Sequence, residues 1–170
     1  MYLYEIEAGS KVFVDANIFV YHFSKGSEFN KSCTDFFFRV ETKEIHGFTS
    51  AGIVMEAAHR LMMVEASSML DIEIKNFPKY LKQHPDMVKR LTQHLIVPNK
   101  ISELNIEIVP ITLKGIEDSQ SNKTKFGFLS NDSLTLKIME DIGITKIASN
   151  DLDFKRVDWL NLYLPFLTNE

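Results

Sequence analysis

Two short apolar runs with β-branched character end abruptly in polar turns. Val12-Phe13-Val14 runs into Asp15, and Thr145-Lys146-Ile147-Ala148 runs into Ser149-Asn150-Asp151. Runs of that length, bounded by turn residues, read as strands. A third strand is expected within Ile106 to Ile111, with weaker ones at Gly47-Phe48-Thr49 and Leu160 to Tyr163. Between them apolar residues recur at helical spacing over Phe29 to Thr42, Ser50 to Leu70, Phe77 to Ile96 with a break near Pro85, Thr112 to Asp118, and Asp132 to Ile142, the last closed by Gly143. A short helix is expected from Ile18, and Ser119 to Lys125 reads as a flexible polar loop near the second acidic turn. Strands alternating with helices predict an α/β fold with a mainly parallel sheet covered on both faces. In such a sheet ligands gather outside the C-terminal ends of the strands, which is where Asp15 and Asp151 fall.

Composition narrows the class. The chain has 170 residues, 45% hydrophobic and 25% charged, which is enough for one core and predicts a single domain over 1–170. No apolar run approaches the roughly 18 residues of a membrane span, and Glu5, Glu7 and Asp15 stand near the start, so a soluble, cytoplasmic protein is expected. A lone Cys33 supports neither an internal disulfide nor a structural zinc site. The net charge of -4 excludes a generic nucleic-acid coat, but it is uneven: residues 71–100 carry +3 and the rest -7. That basic stretch lies in an extended helical segment at about 71–104, in which Lys75, Lys79 and Lys82 would share one helix flank.

Four acids then stand out. Asp15 ends the first strand with Asn17 two residues on, Glu56 sits in the apolar helical stretch Ile53 to Ala58, Asp132 opens a helix, and Asp151 leads Asp151-Leu152-Asp153-Phe154. Each alone also fits an N-cap, a turn or a solvent-facing position. Converging on one sheet edge they would repel one another, and that calls for a divalent ion with oxygen ligands, magnesium or manganese.

In this order the residues resemble the motif set of the PIN domain family, and most of all its VapC-type toxin ribonucleases: Val-Phe-Val-Asp15-Ala-Asn17, the helical Glu56, Leu-Ser-Asn-Asp132, and Ile-Ala-Ser-Asn-Asp151-Leu-Asp153-Phe154. The resemblance covers about residues 11 to 163. It implies a three-layer α/β/α sandwich with a central, mainly parallel sheet. It also implies metal-dependent hydrolysis of RNA, a homodimer, and an antitoxin protein as partner. Carried over residue by residue, Asp15, Glu56, Asp132 and Asp151 are the catalytic and metal-binding acids, Asn17 supports the first, and Asp153 is an additional acid. The stretch from Glu56 to Asp132 is longer than in compact members of the family.

Hydrolysis of a phosphodiester needs an activated water and neutralised phosphoryl oxygens, which divalent ions supply. RNA affinity would then come from the ions and from Lys75, Lys79 and Lys82. None of the five histidines has a catalytic context; His59 shares a helical flank with Glu56, and Tyr21 and His22 follow the Asp15 strand towards a bound nucleotide. Phe36-Phe37-Phe38 and Met62-Met63 are expected in the core or at a subunit interface. Other readings stay open: a housekeeping RNA-processing nuclease, a non-catalytic PIN-like RNA-binding module, or an aspartyl-phosphate phosphatase. The phosphatase pattern would want a second Asp where Asn17 stands.

Overall fold

The first strand, β1 (Lys11–Val14), is buried on both faces from Val12 onward, as the centre of a parallel sheet must be. The computed structural model describes residues 1–70 and 72–167. Residue 71 of the basic stretch and residues 168–170 of the expected domain lie outside the described residues. With β2 (His46–Ser50), β3 (Glu107–Val109), β4 (Lys146–Ala148) and β5 (Asn161–Tyr163), β1 forms one sheet in the order β3-β2-β1-β4-β5, every pairing parallel. All five expected strands form.

The helices are α1 (Ala16–Phe23), α2 (Asn30–Glu41), α3 (Ala51–Met69), α4 (Phe77–Gln83), α5 (Pro85–Val88), α6 (Val97–Glu103), α7 (Leu113–Asp118), α8 (Gln120–Phe126) and α9 (Ser130–Asp141). One helical layer packs α1 against α2 and α3, and α3 against α6; the other packs α7 and α8 against α9. The expected three-layer α/β/α sandwich is what forms. Its main core runs through Phe13, Phe19, Phe36, Phe37 and Phe154, all essentially buried, so two members of the Phe36-Phe37-Phe38 run serve the chain's own core. Phe38 is exposed.

The sheet order also fixes a crevice. The chain leaves β1 first towards β2 and β3, then crosses back to place β4 on the other side of β1. That reversal separates the connections leaving β1 and β4 and opens the cleft where α/β sheets bind ligands. Val14 pairs with Ala148, so Asp15 and the turn before Asp151 emerge side by side.

Two expectations need correction. Ser119 to Lys125 is no loop: Gln120–Phe126 is helical, ended by Gly127 at φ +71°. Its polar side chains are satisfied within the layer. The hydroxyls of Ser119, Ser121 and Thr124 donate to the carbonyls of Ile116, Asp118 and Ser121, and the buried Asn122 donates to the Ser133 carbonyl in α9. Nor is Lys75 on one helical flank with Lys79 and Lys82. It lies in a separate 3-10 turn, Ile74–Asn76, and pairs with Glu73 at 2.6 Å, while α4 begins at Phe77 with Pro78 in its first turn, where a missing N–H costs nothing.

The extended segment after α3 builds a small core of its own on the C-terminal half of α3, from Ala66, Phe77, Leu81 and Leu91, with Met62 and Met63 packed against it. Beyond the break at Pro85 the helix is interrupted again near Thr92. There the buried Glu65 carboxylate accepts the N–H groups of Thr92 and Gln93, at 3.0 and 2.9 Å, at the start of the 3-10 turn Gln93–Ile96. Among the described residues no helix is long and apolar enough to cross a membrane.

Candidate active site

Each acid owes its place to a local rule. Asp15 caps α1: its Oδ1 accepts the Ala16 N–H at 2.7 Å, so the capping role and the placement at a strand end hold together. Its other oxygen, Oδ2, accepts from Asn17 Nδ2 and from Ser149 Oγ, each at 2.6 Å. Asp151 caps the 3-10 turn Leu152–Arg156 by accepting the Asp153 N–H at 2.9 Å, and its own N–H donates to Ser149 Oγ at 3.0 Å. Glu56 lies in α3, whose first turn is capped by Ser50. Asp132 lies in the first turn of α9 but does not cap it, since Leu129 holds that position. Among the described residues the Asp132 side chain makes no hydrogen bond, which removes the capping reading for that acid.

Ser149 ties β1 to β4. Fully buried, it donates to Asp15, accepts from Asp151 N–H, and accepts from Asn17 Nδ2 at 3.1 Å. Asn17 completes the link with its Oδ1, which accepts the Asn150 N–H at 3.0 Å. Asn150 Nδ2 in turn donates to the Tyr21 hydroxyl at 3.1 Å, so Tyr21 does lie at the edge of the cluster. His22 does not: its ring meets the Thr34 hydroxyl and packs at a tilt against Phe37. His59 is exposed on α3.

Glu56 is reached from two sides. Asn131 Nδ2 of α9 donates to its Oε2 at 3.2 Å, and the Arg60 guanidinium stands 2.6 Å from its Oε1. Asp153 is exposed and pairs with Arg156 at 2.7 Å. Ser149, Asn131 and Arg60 were not among the sequence candidates. The signal for the first two was the tripeptide Ser-Asn-Asp, which occurs at 130–132 and 149–151. Its polar members hold neighbouring acids, but the second copy uses its Ser and the first its Asn.

The acids lie in one another's field. Burial, and then the charges of Asp151, Asp15, Glu56 and Asp153, push the Asp132 carboxyl up to about 6. Burial likewise raises Asp15, with Glu56 adding to the rise, while hydrogen bonds from Ser149 and Ala16 and the charge of Arg60 oppose it. A set of oxygen donors that disfavours its own ionisation suits a hard divalent ion, and magnesium typically takes one or two carboxylates and keeps several waters. Among the described residues no three of the acids close on a single point at ligand distance.

One lysine of the basic segment borders the same helix. Lys82 lines a groove of about 220 Å³ with His59, Met62, Met63 and Leu81, which places α4 one turn along α3 from Glu56. Lys79 and Lys82 are exposed.

The family model described as "PIN domain" matches residues 12–160. The chain is 32% identical over 158 residues to Ribonuclease VapC2 of Methanocaldococcus jannaschii, covering 90% of this chain and 93% of that protein. Its fold is similar to that of Mycobacterium tuberculosis VapC20, a toxin that cleaves the sarcin-ricin loop, at a TM-score of 0.62, 12% identity and coverage of 89% of this chain and 98% of that one. It is also similar to a chain of Rickettsia felis VapBC2, solved bound to a DNA fragment from its promoter, at a TM-score of 0.53, 16% identity and coverage of 91% and 98%. The chain therefore belongs to the PIN domain family, as a VapC-like ribonuclease.

Proposed function

We propose that this protein hydrolyses RNA phosphodiester bonds with Asp15, Asp132, Asp151 and Glu56 around one or two divalent ions, magnesium or manganese. The observation that carries the reading is the Asp132 carboxylate, which lacks a hydrogen-bond partner among the described residues and is held in the field of the other acids beside the β1–β4 crevice. A bound ion would activate water and neutralise charge building on the phosphoryl oxygens. Asp15, Asp132 and Asp151 would hold it, directly or through water. Ser149 and Asn17 keep the Asp15 Oδ2 lone pairs oriented, as outer hydrogen bonds do for metal-ligating carboxylates. Asp153 is turned to Arg156 and contributes charge more than ligation.

RNA reaches this negative cleft along the α3–α4 surface, where Lys79 and Lys82, with Lys75 at the margin, supply cations. In the cell the protein would be the toxin of a toxin–antitoxin pair. Its antitoxin would cover the acid cluster with a segment that supplies an Arg, and two copies of the chain would associate through α2 and α3, where Phe38, Met55 and Met69 are exposed.

The test is cleavage of mixed structured RNAs with magnesium, with manganese and with chelator, for the parent and for Asp15→Asn. Expected is cleavage that the chelator stops and a loss of orders of magnitude in Asp15→Asn, since removing a metal ligand costs far more rate than removing a cap. Chelator-resistant cleavage, or a fully active Asp15→Asn, would refute the metal mechanism.

A further inference from the structure

A cleft of acids repels the phosphate backbone it must cleave. Ions offset part of that repulsion, but a fixed cation at the lip is needed to aim the chain. Arg60 stands there. It lies one turn beyond Glu56 on α3, and its guanidinium is 2.6 Å from Glu56 Oε1. A Glu–Arg pair at this spacing is an everyday contact on a helix surface. Three features set this one apart. Its acid belongs to the catalytic set and is clamped from the other side by Asn131 of α9, so the carboxylate is committed in place. Its side chains are unequally covered, Glu56 at 22% and Arg60 at 52% exposure, so the guanidinium reaches outward while the carboxylate stays in. And the guanidinium stands close enough for its charge to act on Asp15. Arg156, the other arginine beside the acids, is already engaged with Asp153 and lies over the Phe128 ring.

We propose that Arg60 is a substrate-positioning residue, whose guanidinium grips a phosphate of single-stranded RNA beside the cleaved bond while Glu56 aims it. This rests on the ribonuclease reading above. The planar fork presents five donors, and beyond its pairing with Glu56 it makes no hydrogen bond among the described residues. Two parallel donors match a phosphate, which a lysine ammonium does not. Glu56, with both oxygens engaged, then acts through Arg60 and through ordered water rather than as a direct ligand. The groove shared by His59 and Lys82 lies on the adjacent turn, so the strand would pass from Arg60 towards α4.

The experiment compares parent, Arg60→Ala and Arg60→Lys in two arms. In the first, Michaelis parameters are measured on an RNA the parent cleaves. Removing a charge-assisted hydrogen bond made equally in the bound and transition states raises KM by about 10- to 100-fold and leaves kcat within about threefold. Lys recovers only part of that. In the second, a fluorescent single-stranded RNA of mixed sequence is titrated onto each protein carrying Asp132→Asn, across a salt series. Arg60→Ala then binds more weakly, with a salt slope shallower by about 0.7 for each phosphate no longer neutralised. Melting of the Arg60 variants stays close to the parent, because the side chain is half-exposed. An Arg60→Ala protein with the parent's affinity and slope overturns the proposal. So does one that loses kcat at unchanged KM, since that is the signature of an effect through Glu56 alone. If the parent cleaves no RNA while Arg60→Ala still weakens binding, the ribonuclease reading fails and the phosphate grip stands; a parent that binds no RNA at low salt overturns both.

Discussion

Ser149 Oγ donates to Asp15 Oδ2 at 2.6 Å across the two central strands, and the same oxygen accepts the Asp151 N–H at 3.0 Å. One buried hydroxyl thus fixes the distance between two acids 136 residues apart in the chain. The carboxylate it serves is otherwise raised by burial, and the Ser149 bond is the largest influence opposing that rise.

Ser149→Ala should therefore act on activity and stability together. Removing the donor leaves a desolvated carboxylate short of a partner and a buried N–H without its acceptor, at a cost of about 1–3 kcal/mol. Activity should fall by about 10- to 100-fold, as when the outer support of a metal ligand is removed. The acid limb of the rate profile should move to higher pH, because Asp15 loses the bond that favours its charged form. Urea unfolding and a pH–rate profile measure both effects. A profile that stays in place would reduce Ser149 to packing.

Asp132 gives a pH dependence of defined sign. In the unfolded chain it titrates near 3.8, and in the folded protein near 6. Below about pH 4 it is protonated in both states, so it contributes nothing to the difference. Between about pH 4 and 6 the unfolded chain has released the proton and the folded one has not, so stability falls as pH rises through that window and stays reduced above it. The group is only half-buried, and solvent screening holds the loss to about 1 kcal/mol. With chelator present, Asp132→Asn should match the parent at pH 4 and exceed it by about that amount at pH 7, while losing activity. An Asp132→Asn protein several kcal/mol less stable at both values would give Asp132 a structural role.

Glu65 anchors the extended segment. It is 5% exposed, and its two oxygens take the N–H groups of Thr92 and Gln93. Glu65→Ala should cost about 2–4 kcal/mol, because two backbone donors lose a charged acceptor in a buried place. Proteolysis should then open the chain near residue 92 first, with kcat unchanged at temperatures where the variant is folded. Cutting elsewhere first would show that the satellite core, not Glu65, holds the segment.

The basic surface can be tested apart from the site. A combined Lys75, Lys79 and Lys82 to Ala variant should lose affinity for RNA of every sequence and show a shallower salt slope, by up to about 0.7 per phosphate on a single strand. Lys75 is paired with Glu73 and set off from α4, so Lys79 and Lys82 should account for most of the change. A slope identical to the parent's would leave α4 as scaffold.

Period and punctuation in the chain were enough to place all five strands and the ends of α3 within a residue or so; for the central strands β1 and β4 this is because burial on both faces forces an apolar run and a turn must follow it, while the exposed edge strand β3 is marked by its β-branched residues alone. The same logic put Asp15 and Asp151 at strand ends and, with the resemblance to PIN domains, set them beside Glu56 and Asp132. Local pattern could not reveal that Ser119 to Lys125 is helical, since its polar side chains are satisfied by α9 and by its own carbonyls rather than by an apolar stripe. Nor could it show that the buried carboxylate of Glu65 would accept the N–H groups of Thr92 and Gln93. The partners of the acids were equally hidden. Ser149 meets Asp15, and Asn131 meets Glu56, only because β4 crosses back beside β1 and the start of α9 reaches α3. Residue type and spacing determine which groups are available for chemistry; contacts between distant parts of the chain decide which of them meet, and those depend on how layers stack rather than on any local periodicity.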